Sequence, residues 1–241
     1  MPRLNMLLGA LTPDAFNRIA PDLQPVTLSA RQVLYRPGEP VEQVYFPQTA
    51  VVCLLTVMRN GDTIETSTVG REGASWISAS VGAPSMPCET IVAVGGRAAT
   101  LGIGALEREL EENGHFHDVL TQYSHALLIA SMRTSGCAGL HSVEQRCARW
   151  MLMTLDRVDT DHFLITHELL AAFLGARRST VSEIVEGLAV EGILSVSRGH
   201  IRVANRAGLY ARSCECYDVI KENYEQVGKQ LPRTRRTPAK A

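Results

Sequence analysis

The chain has 241 residues, 45% hydrophobic and 20% charged, with a formal net charge of −1. This composition suits a globular protein of one large or two small domains, and no apolar run approaches the roughly 20 residues of a membrane span. The charge is uneven: residues 1–139 carry 9 Lys and Arg against 13 Asp and Glu, residues 140–241 carry 15 against 12. An acidic front and a basic back fit an anion-binding C-terminal module.

The opening MPRLNMLLGALTPDAF meets Pro13 and Asp14 after a short apolar run and lacks the basic flank and cleavage site of a secretory signal. A cytoplasmic protein is expected. From Val26 to about Leu101 the pattern is of short β-like runs between Pro and Gly breaks. Asn60-Gly61 between β-rich arms is a hairpin signal, and Gly95-Gly96 reads as a second one. Short strands with frequent turns predict a barrel or roll.

From about Leu106 to Gly136 helix formers take over. Phe116, Leu120, Tyr123, Leu127, Ala130, Thr134 and Cys137 alternate spacings of four and three, a repeat of about 3.5 residues. That seam fits a coiled-coil-like contact between two copies. A helix lying on the roll is the other reading, and Val119 and Leu128 allow both. Self-association through Phe116, Leu120, Tyr123, Leu127 and Ala130 is the expectation carried forward. A further helix is expected over about Ser142–Arg157, then short elements to about Val203, then a helical stretch and the basic, disordered tail KQLPRTRRTPAKA.

Six cysteines stand at 53, 88, 137, 147, 214 and 216 without a CxxC pair, so neither a zinc nor a disulfide framework is legible. Cys214-x-Cys216 binds a soft metal only with ligands from elsewhere; small residues packing in a helix is the simpler account. No metal and no cofactor are expected.

The stretch LGARRSTVSEIVEGL sets Arg177 and Arg178 where a helix is about to start. Thr166 can cap a short helix, HELLAAFL, with Glu168 in its first turn, and Gly175 can end it in a left-handed cap. A second helix begins near Arg177, with Val181, Ile184, Val185 and Leu188 as its apolar stripe. The opposite face holds Arg178, Ser179, Ser182, Glu183 and Glu186. In a helix-turn-helix the N-terminal part of such a face enters the DNA major groove. Arg178 can fork to a guanine or a phosphate, Ser179, Thr180 and Ser182 can donate to phosphates or base edges, and Arg177 is placed for backbone phosphate. GILSVSRGHIRV then reads as strands Ile193–Val196 and His200–Val203 around Arg198-Gly199, a wing whose Arg198 tip reaches phosphate.

Together with CAGLHSVEQRCARWML and NRAGLYARSCECY, these elements resemble a Crp/Fnr-family transcription regulator over nearly the whole chain; HSVEQRCARWML and LGARRSTVSEIVEGL…EGILSVSRGHI are the specific part. The resemblance implies an α+β protein: an N-terminal β-roll resembling a cyclic-nucleotide-binding fold (1–105), a long dimerisation helix (106–139), a winged helix-turn-helix (140–210) and a C-terminal helix with basic tail (211–241). It implies a homodimer on an inverted-repeat operator in double-stranded DNA, with RNA polymerase as partner, no membrane, and an unidentified signal. The rival is a ligand- or partner-binding module that does not bind DNA.

The chain departs from the family pattern in three places. In VGREGASWI, Gly70, Glu72 and Gly73 resemble the ribose-binding half of a cyclic-nucleotide pocket. APSMPCETIV lacks the basic residue of the phosphate-binding half, however, and so forgoes a charge-assisted contact; Arg97 follows too late. The best-known members also carry Glu where Ser179 stands and Arg where Glu183 stands, which sets aside their TGA half-site while Arg178 matches. With Cys53 the first cysteine, the N-terminal cluster of iron–sulfur members is missing. An enzyme is not expected: HELLA lacks the second His of a zincin, His115 and His117 do not share a helix face, and the glycines at 102 and 104 do not complete a dinucleotide loop.

Overall fold

The computed structural model describes residues 5–75, 85–112, 114–197, 199–227 and 229. Two short helices, α1 (Met6–Gly9) and α2 (Pro13–Ile19), are N-capped by the side chains of Asn5 and Thr12. The roll consists of two antiparallel sheets. Strands β1 (Gln24–Leu28), β7 (Gly96–Gly102) and β3 (Gln43–Pro47) form one, in the order β1-β7-β3. Strands β2 (Val33–Tyr35), β6 (Glu89–Val94), β4 (Val51–Val57) and β5 (Thr63–Val69) form the other, in the order β2-β6-β4-β5. Their inward positions, among them Phe46, Val52, Val92 and Leu101, are fully buried.

The β4–β5 hairpin turns at Asn60-Gly61 as expected, with Gly61 at φ +87°. Gly95-Gly96 does something else. Strands β6 and β7 belong to different sheets, so the chain crosses between sheets there. A Cβ on Gly96 would sit 2.6 Å from the Ala50 amide nitrogen, so the glycine permits a close backbone approach, not a hairpin.

The helix expected from Leu106 onward is described as α3 (Ile103–Glu112) and α4 (Gly114–Leu140), position 113 lying outside the described residues. The seam on α4 also departs from expectation. Phe116, Leu120, Tyr123, Leu127, Ala130, Thr134 and Cys137 are all buried within the single chain, against β5 and against α9 (Cys216–Glu225). Tyr123 stacks on Tyr224 of α9 at 6.2 Å between centroids and donates to the Ala74 carbonyl. A long helix covered along one side needs the same spacing as a coiled coil, so the periodicity marked a buried face without naming what buries it. The outward face of α4 instead carries Leu128, Met132 and Leu140, 57%, 66% and 86% exposed.

After α4, Ser142 and Gln145 form a reciprocal capping box at the start of α5 (Val143–Leu155). The C-terminal unit adds β8 (His162–Leu164), α6 (His167–Leu174), α7 (Arg178–Val190), β9 (Leu194–Ser197), β10 (His200–Val203) and α8 (Arg206–Arg212). Strand β8, three residues long and not foreseen, completes a small sheet ordered β8-β10-β9. Among the described residues, no helix is long and apolar enough to cross a membrane.

Trp150 on α5 centres this unit, with ring centroids 5.9 Å from Phe163 and 5.8 Å from Phe173. Its indole N–H leaves the apolar cluster and donates to Glu65 Oε2 on β5 at 2.7 Å. The same buried carboxylate accepts from the Cys53 thiol at 3.0 Å and the Thr68 hydroxyl at 2.6 Å. A charged acceptor buried on β5 thus ties the roll to the C-terminal unit. Trp150→Phe retains the ring packing and removes one hydrogen bond to a charged group, so it should destabilise the protein by about 1.5–3 kcal/mol, read from equilibrium urea unfolding.

Candidate nucleic-acid interface

Thr166 N-caps α6, accepting from the Leu169 amide at 3.3 Å, and Gly175 closes the helix in the left-handed region at φ 57°. Arg146 of α5 donates to the Leu174 carbonyl at the same end. Arg177 is the N-cap residue of α7, in extended conformation, and Arg178 is its first helical residue. Val181, Val185 and Leu188 are buried toward α6, with Ile184 partly exposed at the edge of that stripe.

Arg177, Arg178, Ser179 and Glu183 are exposed. Neither arginine has a salt-bridge partner among the described residues. They stand at the positive end of a helix, where unpaired amides and the helix dipole add to their charge. Three hydroxyls are less available. Thr166 accepts from Arg31 Nη2 at 2.9 Å besides capping α6, Ser182 is engaged with His167 Nδ1 at 2.9 Å, and Thr180 is half-buried. Strands β9 and β10 pair in register from His200 opposite Ser197 to Val203 opposite Leu194, forming a hairpin beside α7. Its expected tip, Arg198, lies outside the described residues.

Residues 145–212 match the family of Crp-like helix-turn-helix domains. In fold, the chain is similar to FixK2 from Bradyrhizobium japonicum, with TM-score 0.65 and 17% identity over 80% of this chain and 98% of that one. The chain has the Crp/Fnr regulator fold. A CRP-family transcriptional regulator from Thermus thermophilus superposes with TM-score 0.64 and 15% identity, over 78% of this chain and 96% of that one. The c-di-GMP-responsive global regulator CLP of Xanthomonas campestris gives 0.60 and 13%, over 80% and 99%. At these identities the likeness to the solved structures is one of fold. No curated protein matches the sequence.

Within this Crp/Fnr fold the residues expected at an effector pocket have other neighbours. Glu72 is buried and accepts from Arg157 Nε at 2.9 Å and Nη2 at 2.7 Å, and from the Gly70 amide at 3.0 Å. A Cβ on Gly70 would meet the Arg157 side chain at 2.3 Å, and one on Gly73 would meet the Tyr123 hydroxyl at 2.2 Å. The Gly-Glu segment is therefore packed around an arginine that follows α5 and around a tyrosine of α4. Glu72 and Arg157 also line a groove of about 250 Å³ with Met153, Tyr224 and Lys221. Arg71 and Arg97 both reach Asp159, at 2.9 and 3.2 Å, giving Arg97 a role in joining the two halves.

Burial works against the charge on Arg157, yet the attraction and hydrogen bonds of Glu72 hold its guanidinium pKa above the ordinary value. Its remaining donors reach the Met153 and Thr68 carbonyls, so all three guanidinium nitrogens are satisfied. The sequence did not reveal this pair, whose members are 85 residues apart. Arg157→Met leaves Glu72 buried without its partner. It should cost about 3–5 kcal/mol of stability, whereas removing both charges in Glu72→Gln/Arg157→Met should recover part of that loss; a double-mutant cycle by urea unfolding measures both.

Proposed function

We propose that the chain is a sequence-specific, DNA-binding transcription regulator that acts as a homodimer on an inverted-repeat operator. The observation that carries this reading is the exposed N-terminal end of α7, where Arg177 and Arg178 lack carboxylate partners among the described residues. Arg178 is assigned to a guanine edge, Arg177 and Ser179 to backbone phosphate, and Glu183 to a cytosine amino group. Thr180 and Ser182 supply donors at the rim of this face once their own contacts allow, and Thr166 holds the end of α6 against the backbone. Arg198 is assigned to phosphate from the wing.

The dimer contact is assigned to the outward face of α4, because the inward face is already covered. Leu128 and Met132 stand one turn apart there, both largely exposed, with the half-buried Ile129 beside them. Two such helices side by side would remove these apolar side chains from water and set two copies of α7 for half-sites about one helical turn apart. The resemblance adds RNA polymerase as the partner that reads promoter occupancy, in the cytoplasm. The signal is not a cyclic nucleotide on this reading, since Glu72 is held by Arg157. No enzymatic step is assigned.

Loss of one bidentate base contact costs roughly 1–3 kcal/mol. Arg178→Ala should weaken the preferred site by that order and relax the preference at one position per half-site. Arg177→Ala should lower all affinities together and flatten the salt dependence. Binding to a randomised duplex library at two salt concentrations separates the two. Unchanged affinity and preference in Arg178→Ala would favour the rival, a partner-binding module.

Leu128→Asp/Met132→Asp should yield a folded monomer by sedimentation, with circular dichroism unchanged and operator affinity lost. If this variant stays dimeric, the outward face of α4 is not the contact.

A further inference from the structure

Cys137 and His141 lie one turn apart where α4 ends, Cys214 lies in the turn after α8, and Cys216 follows Glu215 as the first residue of α9. Their sulfur and imidazole donor atoms all lie within 4.8 Å of one another. The Cys137 and Cys214 sulfurs are 3.5 Å apart, and Cys216 Sγ is 3.8 Å from His141 Nδ1. Tetrahedral zinc, with Zn–S near 2.3 Å and Zn–N near 2.0 Å, holds its donors about 3.5–3.8 Å apart. The four donors are therefore already close to the spacing that one ion imposes. The three cysteines are buried and form a cluster separate from the main apolar core.

Two further observations concern the surroundings of this cluster. His141 Nε2 lies 3.3 Å from Glu215 Oε2, so the carboxylate orients the ring while Nδ1 faces the sulfurs, as metal-bound histidines are typically held. Arg149 on α5 is 3% exposed, and among the described residues it makes no salt bridge and its Nε has no hydrogen-bond partner. Its charge acts on Cys137 and Cys214. Three thiolates and a neutral imidazole around a divalent ion carry one net negative charge, which this guanidinium would balance. Three neutral thiols packed as small apolar groups would leave it uncompensated.

We propose that Cys137, His141, Cys214 and Cys216 form a closed Cys₃His site for a soft divalent ion of the zinc class. Binding displaces the proton of each thiol that becomes a ligand. Thiolate donors select such an ion over magnesium or calcium, and four protein ligands make the site structural. It joins the end of α4 to the α8–α9 turn, beside the short link into α5. The cluster borders a groove of about 430 Å³, lined also by Met132 and Leu140.

The test uses the full-length protein purified under reducing conditions. Elemental analysis should find one zinc per chain, and cobalt(II) replacing it should show the thiolate charge-transfer and d–d bands of a tetrahedral site. Cys214→Ser and Cys216→Ser should lose the ion, while Cys53→Ser and Cys147→Ser, whose thiols lie outside the cluster, should retain it. Glu215→Gln should keep the ion with about tenfold weaker affinity. Where a ligand variant does not fold, wild-type protein stripped with a chelator carries the test: one equivalent of zinc should raise its Tm, and magnesium should not. The proposal is overturned if wild-type protein neither retains zinc nor gives a tetrahedral cobalt spectrum. It is equally overturned if freshly purified, metal-free protein holds Cys137 and Cys214 in a disulfide, or if Cys214→Ser binds the ion as tightly as wild type.

Discussion

The pairing of Glu72 with Arg157 is the constraint on which the relation between the roll and the C-terminal unit rests. A guanidinium and a carboxylate buried together repay their desolvation only when the geometry is good and the remaining donors are satisfied. Here the carboxylate accepts two hydrogen bonds from Arg157, and the Met153 and Thr68 carbonyls take the others. Sliding one half against the other would strand both charges in a medium that solvates them poorly. The Glu65–Trp150 hydrogen bond on β5 adds a second polar fixture at the same junction. Apolar packing alone is non-directional; these two contacts specify how the halves meet.

This arrangement also decides what α4 can do. With one side of the helix occupied by β5 and α9, its outward side is left with Leu128, Met132 and Leu140 exposed. The same helix thus has one apolar side that completes the fold of the chain and another that carries exposed apolar side chains, the face assigned above to the proposed dimer contact. Because Tyr123 reaches the Ala74 carbonyl next to Gly73, the buried side of α4 is also in contact with the Gly-Glu segment of the roll.

The features legible in the sequence were those whose physics is local. The Thr166 cap, the left-handed Gly175, the Val181–Leu188 stripe and the Asn60-Gly61 turn each depend on residues a few positions apart, and each formed as expected. Features that depend on distant partners were not legible. The α4 seam had the right period but the partner is the chain's own α9; Gly95-Gly96 had hairpin composition but serves a crossing between sheets. Within the candidate site, exposure of Arg177, Arg178, Ser179 and Glu183 followed from helix phase. The inward engagement of Ser182 with His167 and of Thr166 with Arg31 did not, since both depend on how neighbouring elements pack. The Cys214-x-Cys216 pair was visible as half a ligand set; its other half lies 77 residues away at Cys137.

Gly175 sits in the turn between α6 and α7, and its position is restricted from two sides. Its backbone is in the left-handed region, and a Cβ there would come within 2.9 Å of the Ile64 side chain at the start of β5. The first restriction belongs to the turn that ends α6; the second belongs to the contact with the roll. An alanine at this position would meet both at once, while a smaller side chain at position 64 would relieve only the second. Comparing Gly175→Ala with and without that smaller side chain separates the energy of making the turn from the energy of resting it on the roll, so a residue with no side chain gives a way to weigh the joint between the two halves of the chain.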